Sequence, residues 1–312
     1  MRGFILAAGF GTRLRPITEY LPKALIPVGG KPLIERSLGF LASQGISRIG
    51  VNAHYQAEEL AALRDQSPFP FELFHEKDSI RGTGGGLYFA QEFLNGDETF
   101  FVCNVDIVYE LDLAPLIRRF LATDWIAGLL VVPTRKEGTV LYDADTLLYS
   151  GVPADTDRRG DLITGEFIGA AVYRREFLEE LGPEDFSIVP VWKRCREQER
   201  GIGIIEAPGC FWRDIGTPDA LADVHYAIID GKANIDVAPH LRLDRAQKRC
   251  YAERLPESLQ QGVGEYGWVE TEAIGPDARI ARSMVFPGAR IAAGRSIENM
   301  IITPWCEVPL GK

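Results

Sequence analysis

The chain has 312 residues, 46% of them hydrophobic and 25% charged, with a formal net charge of −10. That length fits one large α/β unit with a smaller appendage, and the apolar share supplies a core. The acidic balance disfavours nonspecific binding to nucleic acid or to an anionic membrane surface, because like charges repel at long range, and no stretch approaches the roughly 18 apolar residues that span a bilayer.

The opening run MRGFILAA stops at Gly9. It has neither the length nor the cleavage pattern of a signal peptide, so a cytoplasmic protein is expected. Cys103, Cys195, Cys210, Cys250 and Cys306 lie far apart with no paired spacing, which argues against a zinc site and a disulfide framework and for reduced, structural thiols. An anionic ligand must then be met by a local group of cations, and Arg13, Arg15, Lys23 and Lys31 fall within one short segment.

From Gly3 to about Gly231, apolar β-branched runs alternate with amphipathic segments, the pattern of a mainly parallel sheet covered by helices. Phe4 to Ala7 reads as the first strand. A helix is expected from Pro32, through Leu33, Ile34, Leu38 and Leu41, to a stop at Gly45. Ile46 to Val51, Phe71 to Phe74, Phe100 to Val105 and Trp125 to Val132 read as strands, with helices near Leu87 to Phe93 and Leu113 to Leu121. Thr139 to Tyr149 reads as an irregular insertion beside the sheet. Phe167 to Tyr173, Ile202 to Glu206 and Cys210 to Asp214 resume the sheet, and a helix over Pro218 to Ile229 closes the unit.

Beyond about Asn234 the pattern changes. Ile274, Ile280, Val285, Ile291, Ile297 and Thr303 recur at spacings of six with one of five, the hexapeptide signature of a β-helix, against a Gly/Pro-rich tail with accidental periodicity as the alternative. Fewer than two coils are present, so this element must lean on the rest of the chain or on another subunit, and a homo-oligomer is expected. The division expected is 1–233, a linker over 234–272, and a repeat region over 273–312.

Leu6 to Pro16, LAAGFGTRLRP, follows the first strand, and its glycines let backbone N–H groups approach an anion closely. It is not a Walker loop, since Thr12-Arg13 follows Gly11 where Lys-Ser/Thr is required. Nor is it a dinucleotide fingerprint, since Leu14 replaces the third glycine and Pro16 opposes a continuous helix. Pro22-Lys23-Ala24-Leu25-Ile26-Pro27 follows directly. The run LAAGFGTRLRPITEYLPKALIPVGGKPLIE resembles the signature region of the sugar-1-phosphate nucleotidyltransferases.

The resemblance implies a Rossmann-like, mainly parallel sheet of the nucleotide-diphospho-sugar transferase fold with a short left-handed β-helix after it. It implies transfer of NMP from a nucleoside triphosphate to a sugar 1-phosphate with release of pyrophosphate. Ala7, Ala8, Gly9, Gly11, Thr12 and Arg13 would surround the triphosphate, and Lys23 would neutralise the reacting phosphates. Asp106, after Phe101-Val-Cys-Asn-Val105, and Asp214, in Phe211-Trp-Arg-Asp-Ile-Gly-Thr-Pro218, stand where the family carries Mg²⁺; Val105 replaces the family's usual glycine. Arg81-Gly-Thr-Gly-Gly-Gly-Leu87 resembles the glycine loop against which the base lies, with Gly82 and Thr83 as neighbours.

Glu76 occupies the place where relatives carry an amide that reads the base edge. As a carboxylate it only accepts, which suits uracil, thymine or guanine and not adenine or cytosine; an ordinary surface carboxylate is the alternative. The Leu-Ala-Ala-Gly opening leans towards UTP, with GTP and dTTP open. Glu166 and Gly169 are expected beside the sugar. The family's mid-chain Glu-Lys-Pro is replaced by Tyr149-Ser-Gly-Val-Pro153, an absence shared with enzymes acting on N-acetylmuramate 1-phosphate, and guanylyltransferases for heptose or mannose 1-phosphate come next. A noncatalytic nucleotide-sugar-binding subunit is the rival reading. An acyltransferase is disfavoured because no histidine follows His240.

Overall fold

The computed structural model describes residues 1–134, 136–155 and 162–311. Two compact units emerge, one formed by 1–9 with 37–212 and the other by 10–36 with 213–312.

The first unit is a mixed α/β layer structure. Its strands are β1 (Arg2–Leu6), β2 (Arg48–Ala53), β3 (Glu72–His75), β4 (Thr99–Asn104), β5 (Ala127–Pro133), β6 (Val140–Asp143), β7 (Tyr149–Gly151), β8 (Leu162–Arg174) and β9 (Ile202–Glu206). They form one sheet in the order β7-β6-β8-β4-β1-β2-β3, with β5 joining β8 and β9 joining β5. β3, β2, β1 and β4 run parallel to one another. β8 lies antiparallel to β4, β5 and β6. The central strands read as nearly unbroken apolar runs because both faces are covered: β1 buries four of its five residues. Phe4, Phe100, Tyr173, Phe177 and Trp192 share one buried cluster, in which Phe100 and Tyr173 stack at 5.3 Å.

Val140–Asp143 and Tyr149–Gly151 are not an insertion beside the sheet; they extend it antiparallel through β8. Phe211–Asp214 stands outside it. The helices over Leu113–Leu121 and Pro218–Ile229 fall where expected because each has a strong start. Asp112 accepts from Ala114 N at 3.0 Å, and Thr217 accepts from Ala220 N at 3.2 Å with Pro218 opening the helix. The helix expected from Pro32 runs over Leu33–Ser43, because Lys31–Pro32 pairs instead with Pro27–Val28 as a two-residue ladder. A helix over Ile188–Glu197 has no counterpart among the predicted elements.

In the second unit, the C-terminal strands form parallel ladders with a constant return. Ile274 pairs with Ile291 and Ile280 with Ile297, while Val285 pairs with Ile302. The inward positions therefore recur at spacings of six, five, six, six and five, and the last is Ile302 rather than Thr303. All six residues are buried in one cluster. The segment 234–272 is part of the same architecture: Leu241–Asp244, Arg249–Ala252 and Gly267–Val269 join Ser283–Val285, Met300–Ile302 and Glu307–Pro309 in a six-stranded sheet. The sequence carries little warning of this, because only strands of three or four residues mark each return. The five cysteines are free thiols, and burial pushes Cys103 up to about 12, which leaves it inert. Among the described residues, no helix is long and apolar enough to cross a membrane.

Two buried ionisable groups sit in the second unit. His225 accepts from Gly29 N through Nε2 at 3.1 Å and faces Leu221 O through Nδ1 at 2.7 Å, so its neutral Nδ1–H form is fixed. Burial holds its pKa down to about 3. Its ring packs edge-on against Trp268, whose Nε1 donates to Glu270 Oε1 at 2.7 Å. Burial pushes Glu270 up to about 7, against the smaller pull of that bond and of Arg36.

Between pH ~4.5 and ~7 the folded Glu270 keeps a proton that the unfolded chain has lost, so its contribution falls as pH rises. His225 acts oppositely between pH ~3 and ~6.5, where only the unfolded chain is protonated. Comparison of Glu270→Gln with the parent isolates the first effect. Denaturant unfolding should show the variant gaining on the parent by on the order of 2–3 kcal/mol from pH 4.5 to 7.5; a difference independent of pH would contradict the assignment.

Candidate active site

In the first unit, the strand ends gather most of the expected residues on one rim. β1 is in register with β2 and β4 so that Leu6 faces both Asn52 and Asn104. Ala7, Ala8 and Gly9 therefore leave the sheet beside Val105 and Asp106, and Val105 N donates to Leu6 O at 3.1 Å. β3 ends at His75, and the next residue, Glu76, donates its N–H to Ala53 O at 2.8 Å. The carboxyl ends of parallel strands are where open α/β sheets bind ligands, since backbone groups there are released from the ladder.

A buried hydrogen-bond chain crosses this rim. Ala7 N donates to Asn52 Oδ1 at 2.7 Å, and Asn52 Nδ2 donates to Glu76 Oε1 at 2.7 Å. Arg81 N donates to Glu76 Oε2 at 2.7 Å. Asn52 is 1% exposed and Glu76 fully buried. Both neighbours of the Glu76 carboxylate are donors, so the position requires a side chain that only accepts. Glu76 is therefore committed inside the protein: it fixes the start of the loop after β1 relative to the Arg81–Gly82 turn. Asn52 was not among the residues the sequence brought forward, and an asparagine closing an apolar strand is the one trace it leaves there.

The run 82–86 is not a loop before a helix but the helix itself, Gly82–Phe89. Its glycines answer to packing. A Cβ on Gly82, where φ is +70°, would lie 2.1 Å from Phe186 O, and one on Gly84 2.3 Å from Asp185 O; no rotamer relieves a clash with backbone. Thr83 Oγ1 accepts from Ile188 N at 2.9 Å, which ties this helix to the start of Ile188–Glu197.

Gly169 forms a bulge in β8, where the register with β5 shifts between Phe167 and Ala171. The Tyr109 hydroxyl braces it, lying 3.0 Å from Ile168 O and 3.1 Å from Gly169 O. The bulge borders a cavity of about 240 Å³ whose lining includes Thr83, Asn104, Phe167 and Gly169. Glu166 is not in that lining; it pairs across the sheet with Val132, one residue out of phase with Phe167.

In the second unit, the rest of the loop folds as successive short 3-10 turns over Thr12–Leu14, Ile17–Glu19 and Lys23–Leu25. Gly11 O accepts from Leu14 N and from Thr18 Oγ1, each at 2.9 Å. Lys23 is 9% exposed, so its stem is packed, and Thr12 is exposed. Arg13 donates from Nη2 to Asp214 Oδ2 at 3.2 Å. The guanidinium lies over Gly216, where a Cβ would come within 2.4 Å of it. Gly216 thus makes room for Arg13, a role that its place in Asp214-Ile-Gly-Thr does not announce. Asp214 Oδ1 is buried without a hydrogen-bond partner.

The nucleotidyl transferase family matches residues 2–142. An N-acetylmuramate alpha-1-phosphate uridylyltransferase of Caulobacter vibrioides is 30% identical over 228 residues, covering 69% of this chain and 92% of that protein. A mannose-1-phosphate guanylyltransferase of Mycobacterium tuberculosis is 27% identical over 310 residues, covering 95% of this chain and 82% of its own length. A mannose-1-phosphate guanyltransferase of Candida albicans is 28% identical, and the chain spans 62% of its length. In fold, HddC from Yersinia pseudotuberculosis, solved in complex with GMP-PN, superposes with a TM-score of 0.59 at 21% identity over 72% of this chain and 97% of that one. The chain belongs to the sugar-1-phosphate nucleotidyltransferases, a family of enzymes.

Glu76→Gln tests the hydrogen-bond chain. An amide can accept from only one of its two donor neighbours and turns its own N–H groups on the other, so the variant should lose about 1–3 kcal/mol of stability. It should also raise KM for the triphosphate, because the amide of Ala7 loses its fixed direction. Unchanged stability in denaturant melts would show that the carboxylate is dispensable there.

Proposed function

We propose that the protein transfers NMP from a nucleoside triphosphate to a sugar 1-phosphate, with UTP as the preferred donor. The observation that carries this reading is the relation to the uridylyltransferase over 92% of that protein's length. Selection by Glu76 no longer supports it, since both carboxylate oxygens are engaged internally. GTP is the second reading, favoured by the relation to a guanylyltransferase across 95% of this chain.

A sugar phosphate with a second pKa of about 6 is largely dianionic at neutral pH and is already a nucleophile. Catalysis is then positioning and charge neutralisation rather than proton transfer. Ala7, Ala8, Gly9, Gly11 and Thr12 cradle the triphosphate, with Gly82 and Thr83 towards the base. Arg13 and Lys23 offset charge as pyrophosphate departs. Arg13 is held for this by Asp214, an ion pair too exposed to add much stability.

Magnesium suits the donor set. Asp214 keeps one carboxylate oxygen buried and without a protein partner, which a hard cation would satisfy. Asp106, at the end of the β4 segment, is the second ligand in this reading. Among the described residues no cluster of three or more His, Cys, Asp or Glu is placed to hold a metal by itself, which agrees with a cation that takes one or two carboxylates and completes its shell from phosphate oxygens and water. When bound, Mg²⁺ would polarise the α-phosphate and stabilise the leaving group.

Residues 1–233 serve as the catalytic region in this reading, and the parallel ladders after 273 as a short left-handed β-helix. Association into a homo-oligomer is part of the proposal. Its support is an exposed aromatic pair, Tyr20 and Trp305, stacked at 5.9 Å though each is nearly half exposed.

Four nucleoside triphosphates against several sugar 1-phosphates, followed by pyrophosphate release, test the activity. UTP should give the highest kcat/KM. Asp214→Asn and Asp106→Asn should each lower kcat by about 100-fold or more with the fold retained. Ordinary turnover by either variant at normal magnesium would remove that aspartate from the mechanism.

A further inference from the structure

The loop that carries Gly11, Arg13 and Lys23 ends in the ladder of Pro27–Val28 with Lys31–Pro32, and the turn between those two strands is gripped from far along the chain. Gly29 N donates to His225 Nε2 at 3.1 Å, and Gly29 O accepts from Ala238 N at 2.8 Å. Gly29 has a φ of +60°, and a Cβ there would lie 2.4 Å from Arg36 Nη2 and 3.1 Å from Asp236 O, so a side chain is excluded.

Asp236 completes the grip. Its Oδ2 accepts from Lys31 Nζ, its Oδ1 from Arg36 Nη1 at 3.0 Å, and its backbone carbonyl from Arg36 Nη2 at 2.8 Å. Arg36 Nε donates in turn to Val28 O. The Arg36 side chain is 8% exposed and that of Asp236 66%, so a buried guanidinium joins the ladder to an acid at the surface.

His225 lies on the helix Pro218–Ile229, which the Asp214 segment enters through the Thr217 cap. Arg13 meets Asp214 just before that helix, and Gly29 meets His225 about two turns into it. The loop is thus tied to one rigid element at two points, and Lys23 stands between them in the chain. Lys23–Leu25 is a lone 3-10 turn, too short to fix the place of a side chain by itself.

We propose that His225 and Asp236 are positioning residues: they hold the Gly29 turn so that Lys23 keeps its place relative to Asp214, and neither meets the substrate. The inference rests on the nucleotidyltransferase reading above and extends it to residues outside the signature run. Misplacing a reacting or charge-neutralising group by about 1 Å costs on the order of 100-fold in rate, whereas an ion pair with one exposed partner adds little to stability. A loosened grip is therefore read in turnover before it is read in unfolding.

Asp236→Ala removes the carboxylate and leaves the backbone carbonyl. It should lower kcat by about tenfold or more, with KM for the triphosphate little changed and the denaturant midpoint retained. His225→Phe should lower kcat likewise, and His225→Gln, whose amide oxygen can accept from Gly29 N, should restore most of it. In a Lys23→Ala background, Asp236→Ala should cost little more, because the group it positions is already gone. An undiminished cost in that background would mark a merely structural role and overturn the proposal. Unchanged kcat in folded Asp236→Ala would overturn it as well, whether or not His225→Phe folds.

If the parent transfers NMP to no sugar 1-phosphate, the activity reading fails, and hydrogen exchange decides the grip. Faster exchange of the backbone amides over 23–30 in Asp236→Ala supports it, and unchanged exchange refutes it.

Discussion

The Glu76 carboxylate sits between two N–H donors, out of reach of water, and the geometry of the sheet's binding rim follows from that arrangement. One oxygen takes the Asn52 amide and the other the Arg81 backbone N–H. Asn52 in turn fixes Ala7 N. A single buried acid thus sets the distance between the loop that leaves β1 and the turn that opens the Gly82–Phe89 helix. Each link is 2.7 Å long, and the central one between Asn52 and Glu76 is buried, where hydrogen bonds are strong and an unpaired group is costly. The arrangement tolerates little drift, which an oriented phosphate cradle requires.

That constraint also moves the source of base selectivity. A carboxylate that is fully buried with both oxygens bonded inside the protein offers no edge to a nucleobase, so its acceptor character gives no preference for pyrimidines or guanine. On the proposed reading, selectivity would come from backbone groups and shape at the Arg81–Thr83 turn. The turn's conformation is dictated from behind, by the carbonyls of Asp185 and Phe186 against Gly82 and Gly84. The glycines are therefore consequences of packing first, and any closeness to a base is a second use of the same bareness.

How far the sequence reached depended on whether the deciding interaction was local. Leu113–Leu121 and Pro218–Ile229 were legible to the residue because Asp112, Thr217 and Pro218 are start signals that act within one turn. The mainly parallel sheet was legible from its buried apolar runs. Ile188–Glu197 went unread although Ser187 caps it and Ile188, Val191, Trp192 and Cys195 follow helical spacing; Pro190 disguised it, yet proline is tolerated in a first turn. The glycine run 82–86 has poor intrinsic helix propensity, and only a contact a hundred residues away makes a helix of it. Glu76, Asn52 and Gly216 share that difficulty. Their residue types are plain in the sequence, but their partners are not.

Electrostatics reconcile an acidic chain with an anionic ligand. A net charge of −10 repels phosphate at long range, and at an ionic strength near 0.15 M that repulsion decays within about 8 Å. On the proposed reading, what acts at contact is the local set, with Arg13 its best-defined member. Its bond to Asp214 is exposed on both sides, so it holds the guanidinium in place while leaving most of its donors open to solvent. Asp214 keeps its second oxygen for another partner. A cation there would draw on the oxygen that Arg13 does not use, so the residue can orient a positive side chain and ligate a positive ion without giving up either. Groups placed in this way are costly to the unliganded fold, and a ligand that satisfies them recovers that cost on binding.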